Sequence, residues 1–201
     1  MDLVLTDPPY GINYEDQQKR TVANDDGPYI WWMRDAFERA RQGACCICFC
    51  RWDVQEPFRH ALTWAGWRVR SQVVWDKTYG GQGDCKAQFS PAHEIAWFAT
   101  KGRGFAFPDA RPSSVQTFQK LNWRRMTHPT EKPVALMAAL VTSLTSAGDV
   151  VVDPFAGSGS VGAACAQTGR RFIGSEIDEK YVKQARHRIA GALRTAPTGS
   201  S

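Results

Sequence analysis

The 201-residue chain reads as an α/β domain, a mainly parallel sheet with helices on both faces. Three observations predict it. Short apolar runs of strand length alternate with helix-period segments along most of the chain. Two such runs, Leu3-Val4-Leu5-Thr6 and Val150-Val151-Val152, each end in a corner of polar chemistry. Those corners, Asp7-Pro8-Pro9-Tyr10 and Asp153-Pro154-Phe155-Ala156-Gly157-Ser158-Gly159, stand near opposite ends of the chain, and no internal repeat divides what lies between. A chain this long supports a real core, so residues 1–201 are expected to form one domain.

The elements follow in order. Residues 2–6 form a buried strand. Residues 11–28 are polar and rich in Asn, Asp, Gln and Gly, the composition of a mobile loop. Trp31 to Arg41 has helical spacing and stops at Gly43. Residues 44–50 are a strand. Asp53 caps a helix reaching Trp64, closed by Gly66. Trp67 to Lys77 alternates as a strand, 78–90 is a Gly-rich loop, and His93 to Thr100 is another strand. Residues 101–127 lack periodicity. Pro133 takes the first turn of a helix running to about Ser146. Asp149 to Asp153 is a strand, followed by the Gly-rich loop and a helix to about Gln167. Arg171 to Glu176 is a strand and Glu179 to Ile189 a helix, and residues 191–201 are expected to be a disordered tail.

Composition narrows the function. At 43% hydrophobic and 22% charged residues the chain matches a soluble protein. No apolar run reaches the roughly 20 residues of a membrane helix. No basic-then-apolar leader opens the chain, which argues against secretion. A net charge of +5 permits a nucleic-acid partner without requiring one. Four of the six cysteines fall in Cys45-Cys46-Ile47-Cys48-Phe49-Cys50. Strand alternation puts Cys46, Cys48 and Cys50 on one face and Cys45 on the other. The second cysteine pair of a zinc site is missing, so these read as buried thiols and no metal is assigned. Trp31, Trp32, Trp64, Trp67, Trp75 and Trp97 read as core.

The second corner suits a nucleoside with a charged tail. Asp153 ends an apolar strand, Gly157 and Gly159 let backbone approach a ligand, and the following helix offers unpaired N–H groups. Glu176, at the end of the next strand, can accept both hydroxyls of a ribose. Gly157 to Gly162 formally satisfies a dinucleotide fingerprint. The Asp153 carboxylate instead favours S-adenosylmethionine, because it would pair with the methionine ammonium and repel a pyrophosphate.

The first corner suits a planar amine. Pro8 and Pro9 stiffen the turn. The Asp7 carboxylate and the Pro8 carbonyl can each accept one hydrogen of an exocyclic amine, and Tyr10 offers a face for stacking. An amine held this way has its lone pair aimed at an electrophile on the opposite side.

With both corners in place, the chain resembles a β-class DNA amino-methyltransferase of the N6-adenine/N4-cytosine family. Asp7-Pro8-Pro9-Tyr10 matches its catalytic motif and Asp153 to Ser160 its cofactor motif. His128-Pro129-Thr130-Glu131-Lys132-Pro133 resembles the segment that leads into the helix before the cofactor strand. Trp75-Asp76-Lys77 and His93-Glu94 resemble strand features flanking the recognition loop. The resemblance covers nearly the whole chain. It implies a Rossmann-like methyltransferase fold with circularly permuted motif order, the catalytic motif preceding the cofactor motif, and a target-recognition region embedded at 78–127. Family members usually carry a further strand and an acidic segment ahead of the catalytic strand, whereas here six residues precede Asp7.

The resemblance also implies the activity: methyl transfer from S-adenosylmethionine to a base flipped out of double-stranded DNA. Asp at the first motif position points to adenine N6, and N4-cytosine transfer is the alternative. The expected catalytic residues are Asp7, Pro8, Pro9 and Tyr10. The expected cofactor-binding residues are Asp7, Thr130, Lys132, Pro133, Asp153, Pro154, Phe155, Ala156, Gly157, Ser158, Gly159, Glu176 and Ile177. Lys19, Arg20, Arg103, Arg111, Lys120, Arg124 and Arg125 are candidates for DNA contact. His93 with Glu94 reads as strand packing, not as an acid–base pair. Small family members often dimerise, and the resemblance implies a cytoplasmic protein of bacterial or phage origin, of the restriction-modification kind. Two rival readings are a catalytically weak DNA-binding module of the same fold and a nicotinamide-dependent oxidoreductase built on Gly157 to Gly162. The second leaves Asp7 to Tyr10 unexplained.

Overall fold

The computed structural model describes residues 1–15, 19, 21–80, 86–122 and 131–195. Along the chain lie β1 (Leu3–Thr6), α1 (Trp32–Arg39), β2 (Cys45–Cys50), α2 (Gln55–Ala65), β3 (Arg68–Asp76), β4 (His93–Thr100), β5 (Val115–Thr117), α3 (Val134–Leu144), β6 (Val150–Asp153), α4 (Ser160–Thr168), β7 (Arg171–Gly174) and α5 (Glu179–Thr195). The strands make one sheet in the order β5-β3-β4-β2-β1-β6-β7. β1 pairs in parallel with β2 and β6, β6 with β7, and β3 with β5; β4 is antiparallel to both its neighbours. The sheet is therefore mainly parallel, with β4 alone reversed.

Side-chain alternation divides the core in two. Leu3, Leu5, Cys45, Ile47 and Phe49 face Leu136, Leu140 and Val141 of α3 and Val161 and Ala164 of α4. Val4, Cys46, Cys48 and Cys50 face Met33 and Ala36 of α1 and Phe58 and Leu62 of α2. Helices thus cover both faces, and the cysteines split between them as strand geometry requires. Burial pushes the thiols up, to about 12 for Cys50 and Cys165, so they pack as small apolar groups. Cys85 lies outside the described residues. In α2 the apolar positions Phe58, Leu62 and Ala65 recur at helical spacing on the buried side.

The crossover β1-α1-β2 leaves on one face and β6-α4-β7 on the other. The sheet order reverses between β1 and β6, and at such a switch point the carboxyl ends of adjacent strands open a crevice. The two polar corners leave from those two strand ends.

Several details differ from the sequence reading. Trp31 and Trp64 are 78% and 88% exposed, because each sits at a helix end outside the apolar stripe. Asp53 does not cap α2: its carboxylate forms a fork with Arg51, and Val54 precedes the helix without a side-chain cap. Pro133 stands just before the first turn of α3, with extended ψ, and α3 stops at Leu144. β5 is a three-residue strand in the stretch read as aperiodic. α5 runs past Ile189 to Thr195, so residues 191–195 are helical. The polar stretch after Tyr10 is not simply open. Asp25, 5% exposed, accepts from the N–H groups of Gly11 at 2.6 Å and Tyr14 at 2.7 Å. Gly11 has φ +78°, and a Cβ there would meet the Gly27 backbone at 2.3 Å, so the turn closes only around glycine. Among the described residues no helix is long and apolar enough to cross a membrane.

Candidate active site

The ends of β1 and β6 are tied directly. Thr6, 1% exposed, donates its hydroxyl to Asp153 Oδ1 at 2.7 Å. The same oxygen accepts the Phe155 N–H at 3.0 Å. Burial pushes the Asp153 carboxyl up to about 7, against the pull of those two donors. Above both corners lies a cleft of about 1870 Å³, lined by Asp7, Pro8, Pro9 and Tyr10 from one side and Asp153, Phe155, Ala156, Gly157, Ser158, Glu176 and Ile177 from the other.

At the first corner both Asp7 oxygens are engaged. Oδ1 accepts the Tyr10 hydroxyl and Oδ2 the Lys132 ammonium. Lys132, expected among cofactor-binding residues, lines the cleft at the Asp7 corner, 3.1 Å from Glu94 Oε2 and over the Phe49 ring at 4.9 Å. Glu94 Oε1 meets Lys77 at 2.6 Å. Two carboxylates and two ammonium groups therefore form one cluster, with Lys132 buried and Asp7, Glu94 and Lys77 half-buried around it. Burial pushes Asp7 above its ordinary range, opposed by Lys132 and reinforced by the negative charge of Glu94. Glu94 faces two lysines, and although burial works against it, they hold it down at about 2. Lys132 is held in its charged form by the two carboxylates. Environment thus drives the two carboxyls apart in proton affinity. Burial and the Asp7 charge keep Tyr10 a phenol, and Phe58 meets its ring edge-on at 6.2 Å.

Glu94 and Lys77 also line the cleft, which their reading as strand features did not reveal. β4 runs against the other strands, so its first residues lie at the edge where the parallel strands end. That placement needs the topology; the only sequence signal was the pairing of Trp75-Asp76-Lys77 with His93-Glu94.

At the second corner the loop is closed by its own partners. Gly157 N–H donates to Glu176 Oε2 at 2.8 Å and Asp178 N–H to Oε1 at 2.9 Å. Each oxygen keeps a lone pair for a ligand hydroxyl. Phe155 packs edge-on against Tyr29 and Trp32, at 5.6 and 5.9 Å between centroids, joining the loop to the start of α1. Gly159 was expected to admit a ligand. Its φ is +79° and a Cβ would meet the Ala185 backbone at 2.8 Å, so it serves the contact between α4 and α5. Gly159, Pro133 and Pro154 do not line the cleft, whereas Glu131 does. Glu131 Oε1 pairs with Arg188 of α5 at 2.5 Å, and Arg188 also donates to Ser160 Oγ at 3.1 Å.

The basic candidates separate. Lys120 lines the cleft, donates to the Gly80 carbonyl at 3.1 Å and lies over the Tyr79 ring at 4.9 Å. Lys19 is exposed. Arg103 follows the end of β4, where Lys101 O accepts the Gly43 N–H; this is the sheet edge opposite the cleft, so it does not share the site. Arg111 is exposed and does not line the cleft. Arg20, Arg124, Arg125 and Thr130 lie outside the described residues.

Known proteins resemble this chain in sequence and in fold. Residues 1–187 match the N6/N4 methyltransferase family model, described as DNA methylase. "Putative methylase YubD" of Escherichia coli (strain K12) is 35% identical over 208 aligned positions, covering 100% of this chain and 87% of that protein. The crystal structure of the M1.HpyAVI–SAM complex superposes with a TM-score of 0.78 at 24% identity, over 94% of this chain and 88% of that one. PvuII DNA methyltransferase, cytosine-N4-specific, shares the fold with a TM-score of 0.75 at 15% identity, over 96% and 84%. On its sequence match and its fold, the chain belongs to the DNA methylase family of N6/N4 methyltransferases.

Proposed function

We propose that the chain is an S-adenosylmethionine-dependent DNA methyltransferase acting on the exocyclic N6 of adenine. The observation that most supports the reading is the Thr6–Asp153 hydrogen bond, which joins the strand ends from which the two polar corners leave. The residues fit the cofactor. Asp153 faces the cleft as an acceptor for an ammonium, and Glu176 offers two oxygens for a ribose. When bound, S-adenosylmethionine supplies an electrophilic methyl on a sulfonium, taken by the amine lone pair while the carbon–sulfur pair leaves on sulfur.

The chain's own residues do the rest. Asp7 and the Pro8 carbonyl accept the two amine hydrogens and orient the nitrogen. Asp7, with its raised proton affinity, takes the proton that the methylated amine must lose. Tyr10 contributes the aromatic platform. Tyr79, Gln88, Lys120 and Asn122 line the same cleft and supply contacts to the duplex. The Asp in the first motif position favours adenine. Cytosine N4 is the second reading, because a neighbour in fold, PvuII, carries that specificity. Incubation of unmethylated DNA with methyl-labelled cofactor, followed by nucleoside mass analysis, separates them. Labelled N6-methyladenine supports the proposal; label on cytosine N4 moves the assignment, and no label on either base refutes the activity.

A further inference from the structure

The target amine needs an Asp7 oxygen, and both are taken, by the Tyr10 hydroxyl and the Lys132 ammonium. A phenol can turn away at small cost. Lys132 is harder to displace: its side chain is 7% exposed, so an ammonium that leaves Asp7 cannot be received by water.

One acceptor stands ready. Glu94 Oε2 lies 3.1 Å from the same nitrogen, yet it is one of two buried side-chain polar atoms without a hydrogen bond among the described residues. The two groups are already an ion pair, at a distance and angle looser than the contact Lys132 makes to Asp7. Lys77 holds the other oxygen at 2.6 Å and so fixes the carboxylate in place. Trp75 fixes the strand beneath, donating its indole N–H to the Phe118 carbonyl at 2.7 Å.

We infer that Glu94 is a positioning residue that receives the Lys132 ammonium when Asp7 turns to the target amine. It acts through Lys132 and touches no reacting atom. Lys132 then shifts between two carboxylates without leaving the cluster. With the ammonium on Glu94, Asp7 is free to accept the amine hydrogen and, after transfer, the proton. The low proton affinity of Glu94 agrees with a group that stays charged through the cycle. This inference rests on the reading of Asp7 as the amine acceptor.

The test is a double-mutant cycle on kcat and on KM for S-adenosylmethionine, with Tm measured for each protein. Glu94→Gln keeps the volume and removes the charge, so Lys132 stays on Asp7. Expected is a fall in kcat of about 10²-fold with KM for the cofactor unchanged, as misplacement at a reacting group gives. In a Lys132→Met background there is no ammonium to receive, so adding Glu94→Gln should change kcat by less than about threefold. Should Glu94→Gln fold poorly, Glu94→Asp keeps the charge but draws the carboxylate back from Lys132, and should show the same split between kcat and KM. A Glu94→Gln protein with full kcat overturns the inference, as does an equal loss with and without Lys132. If the unsubstituted chain transfers no methyl group at all, the functional reading fails and this inference falls with it. An active chain indifferent to Glu94 sinks this inference alone.

Discussion

Thr6 and Asp153 stand 147 positions apart in the chain and share a 2.7 Å hydrogen bond that is closed to solvent. It joins the last residue of β1 to the last residue of β6. Through it the geometry of one corner is set by the other. Removing the hydroxyl leaves a buried carboxyl with one donor fewer. Thr6→Val should cost about 1–2 kcal/mol in urea unfolding and raise the proton affinity of Asp153 further. Thr6→Ser, which keeps the hydroxyl, should recover most of that loss. Equal stability of the Val variant and the unsubstituted chain would show that the bond carries nothing.

Asp153 gives a pH dependence with a definite sign. Burial lifts its carboxyl from 3.8 to about 7 in the folded chain. A raised carboxyl favours the folded state while protonated, so its contribution is complete below about pH 4 and is lost as pH rises through 7. The cofactor ammonium needs the opposite form. Cofactor affinity should therefore strengthen about tenfold between pH 6 and pH 8, and Asp153→Asn should flatten the profile. Calorimetric titration across that range measures both, and a flat profile in the unsubstituted chain would contradict the assignment.

Arg188 reaches from α5 to both sides of the cleft, pairing with Glu131 at 2.5 Å and with Ser160 Oγ at 3.1 Å. Glu131 is 5% exposed in its side chain, and it precedes Lys132 directly. Arg188→Ala leaves that carboxylate short of its ion-pair partner and should cost roughly 2–4 kcal/mol by denaturant unfolding. Arg188→Lys should recover part, since an ammonium matches the charge but cannot fork to both partners.

Much of this was legible in the sequence, for identifiable reasons. Leu3 to Thr6 and Val150 to Asp153 are near-continuous apolar runs, the pattern of strands covered on both faces. The alternation of Cys45 to Cys50 follows from the strand period alone. What escaped depended on neighbours far along the chain. Glu94 reaches the site because β4 is reversed, and Arg103 is carried to the far edge by the same reversal. Val115 to Thr117 is too short to show a period and becomes a strand by pairing with β3. Gly159 looked like a ligand-facing glycine, and only the position of Ala185 shows that it serves helix packing. Trp31 and Trp64 looked like core by composition, but each lies off the stripe that its helix buries.

The role of Asp7 is tested most directly by measuring two things on Asp7→Ala: binding of S-adenosylmethionine by calorimetry, and methyl transfer to DNA in a single turnover. Although Asp7 was also expected to bind cofactor, both its oxygens face Tyr10 and Lys132. Cofactor affinity should therefore stay within a few-fold of the unsubstituted chain while transfer falls by at least about 10³-fold, because the amine loses both its orienting acceptor and its proton acceptor. Transfer at an undiminished rate would contradict that role.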